Sequence, residues 1–234
     1  VDEWISWGPD VWTAESKERD GKVLHRYLDA IYEEAINDPK KDIWHEIARL
    51  EIEGRVITHE EFRGIASVIL AGGRDTVVKL ITGAIWHFGR NPDDFEYLRQ
   101  NPDRIDAAIQ ELLRFLTPNP AMVRSTVPES TVKELPDDRY VQISFLSGNF
   151  DETVFEKPFE LNIRRERNPH VSFGFGPHTC IGNHVTEIEA RVFIQTLLDS
   201  GISWEISESS KIHFYSGPMA SVPAEFESLF VRIR

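Results

Sequence analysis

Ten residues, Phe173-Gly174-Phe175-Gly176-Pro177-His178-Thr179-Cys180-Ile181-Gly182, constrain this chain more than any others. They place its single cysteine on a glycine-framed turn, directly before a segment from Val185 to Leu198 whose apolar residues recur at helical spacing. A thiolate is a strong metal ligand when its charge is stabilised, and amides left unpaired at a helix start can stabilise it. Gly174, Gly176 and Gly182 let the backbone come close to a flat ligand, because they carry no side chain. Without that frame a lone cysteine reads as a small buried apolar residue. With it, the sulfur reads as presented to a metal.

The remainder of the chain reads as mostly helical. From Ala14 to Ile36, Leu24, Leu28, Ile31 and Ala35 form one apolar stripe on a charged helix, ended by Asn37-Asp38-Pro39. A shorter helix from Ile43 to Leu50 is interrupted at Gly54. Thr58-His59-Glu60-Glu61 is a capping box that opens a helix running to about Phe88, on the order of 45 Å long. Its middle, Ile65 to Ile81, is apolar nearly all round and is therefore expected to be buried. Gly72 and Gly73 at its centre each cost about 1 kcal/mol against alanine, which calls for either a close helix crossing or a functional widening. Asp75 and Thr76 follow, an acid and a hydroxyl that need partners or a task in an apolar helix. Further helices cover 94–100 and 103–116, the second stopped by Thr117-Pro118. Glu111 and Arg114 lie three apart on it, a spacing that by itself fits a solvated surface pair. Tyr140 to Phe145 alternates like a strand, the segment from Val132 to Arg139 reads as a hairpin, and the tail closes with strand-like pieces that include Leu229 to Arg234.

In chain order, Gly72-Gly73-Arg74-Asp75-Thr76, Glu111-Leu112-Leu113-Arg114 and the Cys180 loop resemble the oxygen-activating helix, the Glu-x-x-Arg helix and the haem-binding loop of the cytochrome P-450 family. The first two motifs are weak alone. The cysteine loop is specific, and the order matches. The resemblance implies a mainly α fold with small β-sheets, of which residues 1–234 form the C-terminal, haem-binding part of a single domain. It implies haem b (iron protoporphyrin IX) with Cys180 as the metal ligand and Phe173, Gly174, Gly182 and Gly72 beside the macrocycle. His178 and Arg124 are matched to propionate contacts, although a neutral, backbone-bonded histidine remains the other reading of His178. Asp75 and Thr76 take the places of the acid and alcohol that deliver protons during oxygen activation. Ile69, Ala121, Val123 and Met219 match substrate-facing positions. Glu111, Arg114 and Arg165 match a structural ion-pair network. Leu161, where the family usually has phenylalanine, and Phe150, in place of an arginine, depart from the pattern. His87, His184 and His213 show no metal-ligand spacing and read as surface or packing residues.

The implied function is a bacterial-style haem-thiolate monooxygenase inserting one oxygen atom from O2 into a nonpolar small-molecule substrate. Its electrons come from a redox partner, a ferredoxin or flavodoxin with its reductase. The other reading is a haem-binding or interaction protein that has kept the fold without turnover. A net charge of −13 argues against a nucleic-acid binder, which needs a basic face. One cysteine excludes an internal disulfide framework, and the longest apolar runs fall far short of a bilayer span, so a soluble, cytoplasmic protein is expected. The chain opens on Val1-Asp2-Glu3-Trp4-Ile5-Ser6-Trp7, which reads as the end of an apolar-faced helix. The resemblance places about half of the fold before that point, so the chain reads as a fragment lacking an N-terminal half, or as a shortened member.

Overall fold

A computed structural model describes residues 22–37, 42–127, 140–216 and 221–234, and these fall into two compact units divided after Gly72. The hairpin expected at 132–139, the opening residues 1–21 and Met219 lie outside the described residues.

In the first unit, helix α1 (Lys22–Asn37) carries the expected stripe. Leu28 and Ala35 are buried, and Leu24 and Ile31 pack beside them. Helix α2 (Ile43–Ala48) starts at Asp42, whose carboxylate accepts from the amides of Trp44 at 3.0 Å and His45 at 3.1 Å. A two-stranded hairpin comes next, β1 (Glu51–Ile52) and β2 (Arg55–Val56), turned by Glu53 and Gly54 with φ of 53° and 78°. Gly54 therefore closes a hairpin and does not merely end a helix. The capping box forms reciprocally at the start of α3 (His59–Gly72): Thr58 N–H donates to Glu61 Oε2 at 2.7 Å, and Glu61 N–H donates to Thr58 Oγ1 at 3.2 Å.

The helix expected to continue to Phe88 stops here. Gly73 and Arg74 form a turn, and a new helix α4 spans Asp75–Arg90. Two consecutive glycines hold helix weakly, while Asp75 suits a first turn, where the helix dipole favours a negative charge. The expected all-round burial of 65–81 also fails: Val68 is 69% exposed and Val78 57%. Leu80 and Ala84 reach the core, and one stripe of α4 is buried where the whole surface was expected to be.

In the second unit α4 is followed by α5 (Pro92–Gln100), a 3-10 turn at Pro102–Arg104 and α6 (Ile105–Leu116), the most deeply buried helix. Thr117 ends α6 in a left-handed conformation, φ 37°. Strands β3 (Ala121–Ser125) and β4 (Tyr140–Ser144) pair antiparallel, and Phe145, expected as the strand's end, begins the short helix α7 (Phe145–Asn149). Residues 151–175 have no regular structure. After the 3-10 turn Gly176–His178 comes α8 (Asn183–Ser200), then β5 (Trp204–Ile206), β6 (Lys211–Ser216), β7 (Ser221–Ser228) and β8 (Val231–Ile233). Strands β5 and β8 pair, as do β6 and β7, all antiparallel. The core joins α4, α5, α6 and α8 through Leu80, Phe88, Leu98, Ile109, Leu112 and Ile194, with Trp204 sealing one end. Among the described residues no helix is long and apolar enough to cross a membrane.

Candidate functional site

The cysteine loop is built by a few backbone bonds. Gly174 N–H donates to Val171 O at 2.9 Å and Thr179 N–H to Gly176 O at 3.0 Å, while Cys180 N–H closes the base on Phe173 O at 2.8 Å. Gly174 and Gly176 have φ of 71° and 77°, a backbone region that strains any residue with a Cβ. A Cβ on Gly182 would stand 3.8 Å from Cys180 Sγ. The thiol is exposed, as are Phe175 (91%) and Ile181 (92%) beside it, whereas Phe173 is half-buried against the core. Gly182, the residue before α8, offers no side-chain cap, and the His184 amide in the first turn donates to Asn183 Oδ1 at 2.8 Å. His178 is exposed. The turn thus puts a free sulfur and two uncovered apolar side chains on one surface. Among the described residues no three His, Cys, Asp or Glu side chains gather as a metal site.

Behind this loop lies a buried charged network. Glu111 and Arg114 are fully buried. Glu111 accepts from Arg114 Nε (2.8 Å) and Nη2 (2.8 Å), Arg165 Nε (2.9 Å), Asn168 Nδ2 (2.9 Å) and the Asn162 amide (2.9 Å). Arg114 also donates to the carbonyls of Asn149 (2.8 Å), Pro158 (2.8 Å) and Glu160 (3.1 Å). Asn149 ends α7, and Pro158 and Glu160 lie in the irregular segment after it, so the guanidinium satisfies carbonyls that no helix or strand ladder pairs. Phe150 packs on Phe115 and Phe159, with the Arg114 guanidinium 5.4 Å from its ring centre. Leu161 packs on the core. His87 is buried and bonded to Asp94, while His184 and His213 lie near Glu187 and Glu227.

Not every candidate residue sits on this loop. Arg124 lies on β3, half-buried, with Nη1 donating to its neighbour's carbonyl, Val123 O, at 2.9 Å. Ala121 is half-buried and Val123 57% exposed on the same strand. Asp75 and Thr76 open α4. Asp75 is not in the apolar interior expected for it: its side chain is 59% exposed, with Oδ1 3.1 Å from Arg74 Nε. Ile69 and Gly72 belong to the first unit. A Cβ on Gly72 would meet nothing within 4 Å. Asn149 carries no expectation from the sequence, yet it is fully buried and fastens the loop's approach. Its Nδ2 donates to Thr117 Oγ1 at 2.9 Å and Ser172 Oγ at 2.8 Å, and its Oδ1 accepts from Val171 N–H at 2.8 Å. The only signal in the sequence is an amide following Ser147-Gly148.

Comparison with known proteins adds the family. The family model described as Cytochrome P450 matches residues 12–225. A steroid C26-monooxygenase of Mycolicibacterium smegmatis is 28% identical over 95% of this chain and 59% of its own length. Cytochrome P450-terp of a Pseudomonas species is 29% identical over 80% of this chain and 45% of its own. A solved structure described as a carbohydrate active P450 superposes with a TM-score of 0.85 at 29% identity, covering 99% of this chain and 60% of that one. The chain spans about half the length of the curated relatives it matches.

Proposed function

Because this chain belongs to the cytochrome P450 family, we propose that it supplies the haem-thiolate centre of a monooxygenase that inserts one oxygen atom from O2 into a nonpolar small molecule. The observation that carries this reading is the exposed Cys180 thiol on a glycine turn, beside uncovered Phe175 and Ile181. These features fit haem b: a single soft ligand from a surface where glycines leave room for a flat macrocycle, with apolar side chains at its edge. When bound, the haem iron supplies the electron-transfer and oxygen chemistry, with the thiolate ligand raising electron density at the metal.

Phe173, Gly174, Gly182 and Gly72 would border the macrocycle, and His178 and Arg124 would pair with its propionates. Among the described residues the Arg124 side chain bonds the neighbouring Val123 carbonyl, a contact readily exchanged for a carboxylate. Asp75 and Thr76 move protons. Arg74 holds one Asp75 oxygen, which leaves Oδ2 to take a proton from water and pass it toward the Thr76 hydroxyl. Ile69, Ala121, Val123 and Met219 would face the substrate, and their apolar character, together with the name of the mycobacterial relative, supports a nonpolar class. Glu111, Arg114 and Arg165 keep the loop's approach in place. The electrons would come from a ferredoxin or flavodoxin with its reductase, and the protein acts in the cytoplasm as part of a single cytochrome P450 domain. Incubation with a surrogate ferredoxin, its reductase, 18O2 and a panel of nonpolar compounds tests the proposal. We expect one 18O atom in a hydroxylated product; reduction of the metal without label in any compound would refute it.

A further inference from the structure

We propose that Gln110 is a positioning residue that clasps both flanks of the cysteine loop to α6. The inference rests on the reading that Cys180 is the working residue of that loop. Ten residues before Cys180, His170 accepts the Ser172 amide at Nδ1, 3.2 Å away. That leaves Nε2 as the protonated nitrogen, and it donates to Gln110 Oε1 at 2.8 Å. Seven residues after Cys180, Glu187 on α8 accepts from Gln110 Nε2 at 2.9 Å. One amide therefore uses its acceptor on the upstream flank and its donor on the downstream flank. One turn further along α6, Leu113 O accepts from Ser172 Oγ at 2.7 Å, so the upstream flank is tied down twice immediately before Phe173. Phe173 O is in turn the partner of the Cys180 amide. The chain of contacts runs from Gln110 through His170 and Ser172 to the carbonyl that orients Cys180. Leucine at 110 would make neither bond. Glutamate would keep the histidine bond but set two carboxylates at hydrogen-bond distance, which is repulsive.

That asymmetry gives a test by exchange of partners, read by hydrogen–deuterium exchange of the Cys180 amide in the purified protein. Gln110→Glu is expected to speed that amide about tenfold while amides in the middle of α6 keep their protection. Adding Glu187→Gln restores a donor–acceptor pair and is expected to return the rate to within about twofold of the parent. Glu187→Gln alone is expected to stay within about twofold of the parent, because its amide oxygen still accepts from Gln110, though more weakly than the carboxylate. If Gln110→Glu fails to fold, Gln110→Met removes both bonds without adding charge and is read the same way. An unchanged Cys180 amide, an equal acceleration throughout α6, or a double variant no slower than Gln110→Glu would each overturn the clasp. The readout is a backbone amide, so it does not depend on whether the sulfur binds iron. The Soret band of the reduced, carbon monoxide-treated Cys180→Ala variant decides that separate question.

Discussion

Removing the carboxylate of Glu111 is the most severe single perturbation the structure offers. In Glu111→Ala the Arg114 guanidinium, fully buried, loses two bonds from its only carboxylate partner among the described residues. Arg165 loses one bond, and the Asn168 side chain and Asn162 amide lose theirs. Breaking a buried pair by deleting one partner costs about 3–5 kcal/mol, because the remaining charge stays desolvated. That is a large share of the ~5–15 kcal/mol that separates a folded domain from its unfolded chain. At roughly 2–4 °C per kcal/mol for a chain of this size, the melting temperature should fall by about 6–20 °C. Glu111→Gln should lose nearly as much, because every orientation of the new amide points its NH2 group at a donor: Arg114 Nη2 and Asn162 N on one side, Arg114 Nε, Arg165 Nε and Asn168 Nδ2 on the other. Urea titrations followed by circular dichroism measure both. A loss below about 1 kcal/mol, the value for a solvated pair three residues apart on a helix, would refute the reasoning.

Two further perturbations have defined signs. Burial pushes the His170 imidazole down to about 4; Glu187 opposes this, Arg114 adds to it, and Glu111 opposes it. His87 is also lowered, chiefly by burial, with Asp94 opposing. Between pH 6.5 and 4 the unfolded chain binds protons that the folded one refuses, so stability is full above pH 6.5 and falls as pH drops through this window, by about 3 kcal/mol for His170 alone. Urea midpoints at pH 7 and pH 4.5 check this, and a flat profile would contradict it. Gly83→Ala would place its Cβ against Leu116 Cδ1, well inside contact distance, so it should destabilise by about 1–3 kcal/mol despite alanine's higher helix propensity, with Leu116→Val in the same background recovering part of the loss in a thermal melt.

Features with a period are legible in the sequence: the stripe of α1, the capping box at Thr58, the lengths of α5, α6 and α8, and the strand at β4. Features set by close approach are not. A helix crossing is one of the two readings of the Gly72-Gly73 pair, yet a Cβ on Gly72 meets nothing, and tight contacts are at Gly83 against Leu116 and Gly89 against Trp204. Nothing local distinguishes a glycine that touches a neighbour from one that does not. The β1–β2 hairpin leaves no such trace, because its strands have two residues each, too short to alternate, and because Glu53 adopts a left-handed conformation that glutamate rarely takes. The cysteine loop is legible from its glycines. Its supports, Asn149, His170 and Gln110, act through side-chain contacts across 22 to 77 residues, which no spacing rule encodes.

The proposed haem-thiolate centre requires the Cys180 sulfur, as a thiolate, to be the protein's ligand to iron. Its most direct test is the absorption spectrum of the haem-loaded protein, reduced and saturated with carbon monoxide, beside that of Cys180→Ala. The red-shifted Soret band of a thiolate-bound ferrous haem is expected in the parent, with its loss in the variant. The same band in Cys180→Ala would contradict that requirement.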